Sequence, residues 1–264
     1  MTGGRADGRT GGSEERIVIA KSSGVLSLTL NRPDKKNAID IRMIGELKAA
    51  LQQADLDAEV RVVAIRGAGK AYCAGLDLNE LLESADLLPE QNEARAWDLG
   101  EVFVALRQLP KVTVAVVTGR CLAGGCGLAS ACDLVIAHEE SQFGYPEINR
   151  GFVPAMVMTM LRRLVGEKVA FDLAATGRLI DAREAARIGL ISRVLPAATC
   201  EAEADAVLAG LASYSASALA LLKQQFYQLD GLGFVDGIRL GAKVNAVSRA
   251  TPDFREAIAR FLKK

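Results

Sequence analysis

Residues 25–30, Val-Leu-Ser-Leu-Thr-Leu, alternate apolar with polar side chains, the period of a half-buried strand. With the apolar run at 16–20 they predict a β-hairpin around Ser22-Ser23-Gly24. Met43, Ile44, Leu47 and Leu51 then fall on one helical face, with Asp40 as N-cap. Residues 60–65 are β-branched and read as a buried strand that ends in the loop signal Arg66-Gly67-Ala68-Gly69. Val102, Leu106 and Leu109 mark a helix before Pro110, and 112–117 and 134–137 are further strands. This alternation predicts an α/β core with parallel strands. From Pro154 onward the pattern turns helical. Asp181-Ala182-Arg183-Glu184 reads as a capping box with Gly189 as stop, and 201–211, 216–228 and 254–262 are periodic enough for helices. No internal sequence repeat is visible.

Composition narrows the function. The 264 residues contain 32 Lys+Arg and 32 Asp+Glu, so there is no electrostatic case for nucleic acid or an anionic membrane. Apolar runs fall far short of the ~20 residues of a membrane span. Residues 1–14, rich in Gly and charge without an apolar stretch, are expected to form a disordered leader, not an export signal. Residues 15–200 are expected to form the core and 201–264 a C-terminal helical region. Cys73, Cys121, Cys126, Cys132 and Cys200 form no CxxC pair, which predicts reduced, buried thiols in a cytoplasmic protein. His138, the only histidine, removes most metal sites and makes a histidine triad with Ser130 or Ser141 a poor reading.

Chemistry concentrates in two glycine-rich segments and one carboxylate. Lys70 to Leu78 reads as a loop after a strand, in which Gly75 permits exposed N–H groups. Gly119 to Leu128 is a glycine turn entering a helix, whose unpaired N–H groups and dipole favour an anion. Glu147 leaves a corner fixed by Pro146. Donors for a developing oxyanion plus one acid/base are the minimum for enolate chemistry. Taken singly, the loops read as ordinary connections, the glutamate as solvated, and Lys35-Lys36 as a surface pair or a phosphate contact.

Taken together and in order, several segments resemble the crotonase, or enoyl-CoA hydratase/isomerase, family. They are Asn31-Arg32-Pro33-Asp34-Lys35-Lys36-Asn37-Ala38, residues 67–78, residues 121–133 and Phe143-Gly144-Tyr145-Pro146-Glu147-Ile148. The later segments 181–190 and 253–263 also look like the family. The resemblance implies a spiral of repeated β-β-α turns with a C-terminal helical extension, assembled as a homotrimer or a dimer of trimers. It implies an acyl-CoA thioester as substrate and no metal or redox cofactor, CoA being part of the substrate. Its oxyanion hole falls on the Leu76 and Gly124 N–H groups, and its acid/base on Glu147. Substrate-binding positions fall on Lys36, Asn37, Ala38, Ala74, Asp77, Leu78, Gly125 and Gly127.

One position departs from the pattern. The family's hydratases usually pair Glu147 with a second glutamate 20 residues earlier, where this chain has Gly127. Hydration needs a held water, whereas moving a double bond between positions 3 and 2 needs a single base. Three readings therefore stand: a family enzyme acting through Glu147, a Δ3-Δ2 enoyl-CoA isomerase specifically, or an acyl-CoA-binding protein without turnover. Asp98 and Glu101 are candidates for a compensating carboxylate.

Overall fold

The expected hairpin is present as β1 (Ile17–Ser22) and β2 (Val25–Leu30), paired antiparallel with Ser22 opposite Val25. Ser23 and Gly24 turn the chain with φ of 50° and 79°, the left-handed pair that matches strand twist in a two-residue turn. The structure is a computed structural model that describes residues 15–263; the leader expected over residues 1–14 lies outside the described residues. Helix α1 (Ile41–Leu56) starts where Asp40 accepts the Met43 N–H at 2.8 Å, and Met43, Ile44, Leu47 and Leu51 are buried.

From there one unit repeats. A strand enters a large sheet, a three-residue strand follows in a second sheet, and one or more helices lead back. The units are β3 (Val62–Gly67), β4 (Ala71–Cys73), α2 (Leu78–Glu83) and α3 (Pro89–Gln108); then β5 (Val112–Val117), β6 (Arg120–Leu122) and α4 (Gly124–Ala131); then β7 (Leu134–His138), β8 (Gln142–Gly144) and α5 (Ala155–Val165). The chain closes with α6 (Glu167–Thr176), β9 (Leu179–Asp181), α7 (Ala182–Arg187), β10 (Arg193–Leu195), α8 (Cys200–Ala212), α9 (Ala216–Gln228), α10 (Phe234–Ala250) and α11 (Pro252–Leu262). The large sheet runs β1-β2-β3-β5-β7-β10 and the small sheet β4-β6-β8-β9.

Alternate residues of the large sheet serve two cores, as strand pleating requires. Val63, Ile65, Ala115 and Val117 pack with the helices of the spiral, while Val62, Ala64, Val114 and Val116 pack under Ala204 and Leu208 of α8. That double burial explains the uninterrupted apolar run at 112–117. Helix α9 is anchored by the buried Lys223, whose Nζ meets Asp133 at 2.8 Å and the Leu106 and Lys111 carbonyls at 2.7 and 2.9 Å. Burial lowers the Lys223 amine below its ordinary range, against the opposing pull of Asp133.

Several expectations are corrected. The strand expected at 60–65 begins at Val62 and runs to Gly67, and the stretch read as a loop after it contains β4. The helix before Pro110 begins as early as Pro89, and α10 was not expected. At α7, Asp181 accepts the Glu184 N–H at 2.7 Å, while the Glu184 side chain takes Arg178 instead of completing the box. Among the described residues no single helix is long and apolar enough to cross a membrane.

Asn37 carries the tightest local constraint. It is fully buried with φ of 54°, and its Nδ2 donates to the Ala68 and Ala71 carbonyls at 2.9 and 2.7 Å. Its Oδ1 accepts the Arg32 N–H at 2.8 Å. Asn37→Ala strands three backbone groups and puts alanine in a left-handed conformation. It is expected to cost about 3 kcal/mol or more. Chemical denaturation checks this: a lower midpoint at unchanged slope is expected, and a change under about 0.5 kcal/mol contradicts it.

Candidate active site

Strands β4, β6 and β8 lie parallel in the small sheet, with Cys73 opposite Cys121 and Leu122 opposite Gly144. The chain leaves all three at the same end. Leu76 follows β4, Gly124 follows β6, and Glu147 follows β8. The C-terminal ends of parallel strands are where α/β sheets generally place ligands.

The first two exits are pressed together. Gly75 has φ of 97°, and a Cβ there would lie 2.8 Å from Ala123 Cβ and 3.2 Å from Gly124 N. Ala123, the N-cap of α4, sits at φ 52° and ψ −125°, a conformation that strains any residue with a side chain. A Cβ on Gly124 would stand 3.8 Å from Leu76 N, so the two amides share one small space. Neither donates a hydrogen bond to any group among the described residues. Gly124 also opens α4, so the positive end of that helix dipole adds to its N–H.

Glu147 lies in a single 3-10 turn (Pro146–Arg150), initiated by Pro146 and closed by Gly151 in the left-handed region. It is only 8% exposed, and its Oε2 is buried with no hydrogen-bond partner among the described residues. Burial raises the carboxyl above the ordinary glutamate range, more than its own N–H and Arg150 lower it. A carboxylate with one oxygen buried and unpartnered is costly to ionise. The solvated reading of this glutamate is thereby excluded.

A family model described as enoyl-CoA hydratase/isomerase matches residues 20–264. The chain belongs to the enoyl-CoA hydratase/isomerase family. It is 41% identical to a Thermus thermophilus protein provisionally named enoyl-CoA hydratase, over 94% of this chain and 98% of that one. It is 33% identical to the 2,3-dehydroadipyl-CoA hydratase of Escherichia coli, over 94% and 96%. Among solved structures it is similar to an enoyl-CoA hydratase of Mycobacterium smegmatis, with a TM-score of 0.91 and 30% identity over 95% of this chain and 97% of the other. The spiral of β-β-α turns is thus the crotonase fold.

Within this family enzyme, the glycines of α4 have different tasks. A Cβ on Gly125 would fall 2.5 Å from the Cys73 carbonyl, so glycine lets α4 dock against β4. At Gly127 a Cβ would meet Val157 Cγ1 at 2.4 Å and Phe103 Cζ at 2.9 Å. The space beside Gly127 is therefore filled by two apolar side chains, from α5 and α3. Leu99, from the same α3 face, reaches to 3.8 Å from a Cβ on Gly124. Sequence reading missed these three, although Leu99, Phe103 and Leu106 keep helical spacing. Asp98 and Glu101 supply no compensating carboxylate: both are about half exposed and bound by Lys48, at 2.7 and 2.5 Å.

The segments containing Lys36, Asn37, Ala38 and Ala74, Asp77, Leu78 adjoin one another. Ala74 N–H donates to the Lys36 carbonyl at 3.0 Å, and Asp77 N–H to the Ile39 carbonyl at 2.9 Å. Asp77 caps α2 through Asn79 N–H, while Leu78 is 55% exposed. The Lys36 side chain instead lines a cavity of about 240 Å³ with Lys70, Ala71, Arg120 and Gln142, at the other end of these strands. His138 ends β7 and accepts the Glu140 N–H at 3.1 Å, and all five cysteines are buried as free thiols. Among the described residues no three His, Cys, Asp or Glu side chains are grouped to hold a metal ion.

Glu147→Gln tests the site in two directions. Turnover is expected to fall by about 10²–10⁴-fold, while thermal stability at neutral pH rises because a charge penalised by burial is removed. The glutamate binds its proton more tightly folded than unfolded. Its destabilising effect is therefore full above the raised folded pKa and fades as pH falls toward the unfolded value of 4.5. Melting curves of both proteins across that window check the sign. A variant less stable than wild type at neutral pH contradicts it.

Proposed function

We propose that the protein binds an enoyl-CoA thioester with its carbonyl oxygen between the Leu76 and Gly124 N–H groups, and that Glu147 moves the proton. The observation carrying this is the unpartnered, buried Oε2 of Glu147 at the strand ends where those two amides are left unpaired. Negative charge develops on the thioester oxygen as an enolate forms, and preorganised backbone donors stabilise it there. In hydration, Glu147 takes a proton from water as the water oxygen adds to the β-carbon, and the enolate collapses as Glu147 returns that proton to the α-carbon, regenerating the carboxylate. The relatives' names as hydratases support this direction. The chemistry draws on no metal or redox group.

Isomerisation between the 3- and 2-enoyl thioesters is a second reading, favoured by the packing at Gly127. With Phe103 and Val157 filling that space, Glu147 is left as the single acid/base. It would remove one proton from the α-carbon and return it at the γ-carbon, with the double bond shifting between. The CoA moiety lies along the main chain of 36–38 and of 74–78, while Gly127, with Phe103 and Val157 beside it, shapes the acyl side.

The assembly is a homotrimer or a dimer of trimers. Supporting it, α10 and α11 bury no residue within the chain while presenting Phe234, Ile238, Phe254, Ile258 and Phe261. The buried free thiols fit a cytoplasmic protein.

Crotonyl-CoA hydration and 3-hexenoyl-CoA isomerisation, measured on wild type and Glu147→Gln, test the function. Turnover of at least one thioester, lost in the variant, is expected, and a rate of isomerisation above hydration selects the second reading. Hydration that survives Glu147→Gln, or stabilisation by acyl-CoA without any turnover, overturns the proposal.

A further inference from the structure

Leu76 is held through its chain neighbours on both sides. Ile39 N–H donates to the Gly75 carbonyl at 2.8 Å, and Asp77 N–H returns to the Ile39 carbonyl at 2.9 Å. This parallel bridge fixes Leu76 relative to the segment 36–40, so its aim is only as firm as that segment. One side chain grips the residue beside each partner of the bridge, Ile39 and Leu76. Arg32 Nη1 donates to the Ala38 carbonyl at 2.6 Å, and Nη2 to Asp77 Oδ2 at 2.8 Å. Its Nε lies 3.3 Å from Asp40 Oδ2.

The clamp is rigid at both ends. Arg32 N–H is fixed to Asn37 Oδ1, and Asn37 N–H returns to the Arg32 carbonyl at 2.8 Å. Asp40 is held by the Met43 N–H and by Arg16 Nε at 2.9 Å. Asp77 is held by the Asn79 N–H at 3.0 Å. The Arg32 side chain is 12% exposed and that of Asp77 10%, so water screens the pair weakly. A planar guanidinium supplies several donors in fixed directions, which a lysine ammonium does not.

We infer that Arg32 is a positioning residue that sets the aim of the Leu76 N–H toward the thioester oxygen by tying Asp77 to Ala38 and Asp40. This rests on the oxyanion-hole reading above. Its place is the Asn31-Arg32-Pro33 start of the motif, to which the hole itself assigns no role. A misplacement of about 1 Å at a reacting geometry is worth up to ~10²-fold in rate. Removing the clamp therefore lowers kcat by about tenfold or more and leaves KM nearly unchanged.

The test uses a chromophoric dienoyl-CoA thioester, 2,4-hexadienoyl-CoA, bound to full-length protein in the Glu147→Gln background to suppress turnover. Polarisation of the thioester carbonyl by the two amides shifts the absorption to the red. Arg32→Gln is expected to lose most of that shift while binding the thioester within a few-fold of the parent, and Arg32→Lys to recover part of it. Should Arg32→Gln fail to fold, Asp77→Asn reads the same quantity, since asparagine still caps α2 but no longer pairs with the charge. A full red shift in folded Arg32→Gln or Asp77→Asn overturns the inference. No shift in the parent itself overturns the oxyanion-hole reading instead.

Discussion

The close approach of two backbone segments governs this molecule. Gly75 and Ala123-Gly124 come so near that a side chain on Gly75 would collide with Ala123. At that point Leu76 and Gly124 have N–H groups with no partner among the described residues. Donors left unpaired in a partly buried cleft are costly. A fold keeps them only where the surrounding structure over-determines the geometry. Here that surround is the small sheet, whose three parallel strands deliver Leu76, Gly124 and Glu147 to one end.

The site is thus a local deficit offset elsewhere. Ala123 in a strained conformation costs about 1–3 kcal/mol. Glu147 adds a buried carboxyl whose Oε2 has no partner among the described residues. Against this stand two apolar cores, on either face of the large sheet, and the Lys223–Asp133 anchor that ties α9 to the ends of α3 and α4. The clamp around Arg32 belongs to the same arrangement, since it ties Asp77, next to Leu76, to Ala38 and Asp40. Phe103 and Val157 complete the picture by making the wall beside Gly127 apolar. The apolar character beside Gly127 is therefore a property of three packed positions and not of Gly127 alone.

How much of this was legible in the sequence follows from physics. The runs at 25–30 and 112–117 announced strands because one or both faces are buried along six residues. Strands β4, β6 and β8 have three residues each, too few to display a period, and the first of them was read as loop. The α10 helix escaped because it buries nothing within the chain and so has no core-facing stripe. Backbone donors leave no side-chain signature, only small neighbours, so Leu76 and Gly124 emerged from family resemblance and not from composition. Arg32 was in plain view within a motif, but its partner Asp77 lies 45 residues away and only the fold joins them.

The proposed chemistry turns on the protonation of one buried carboxyl, which can be observed directly. The Glu147 carboxyl can be titrated by infrared difference or 13C NMR spectroscopy, with Glu147→Gln identifying its signal. A midpoint clearly above the ordinary glutamate value of 4.5 is predicted, because burial without a partner penalises the charge. A midpoint at or below 4.5 would mean that the carboxylate is solvated or paired, and would contradict the claim that this side chain is held ready to carry the proton.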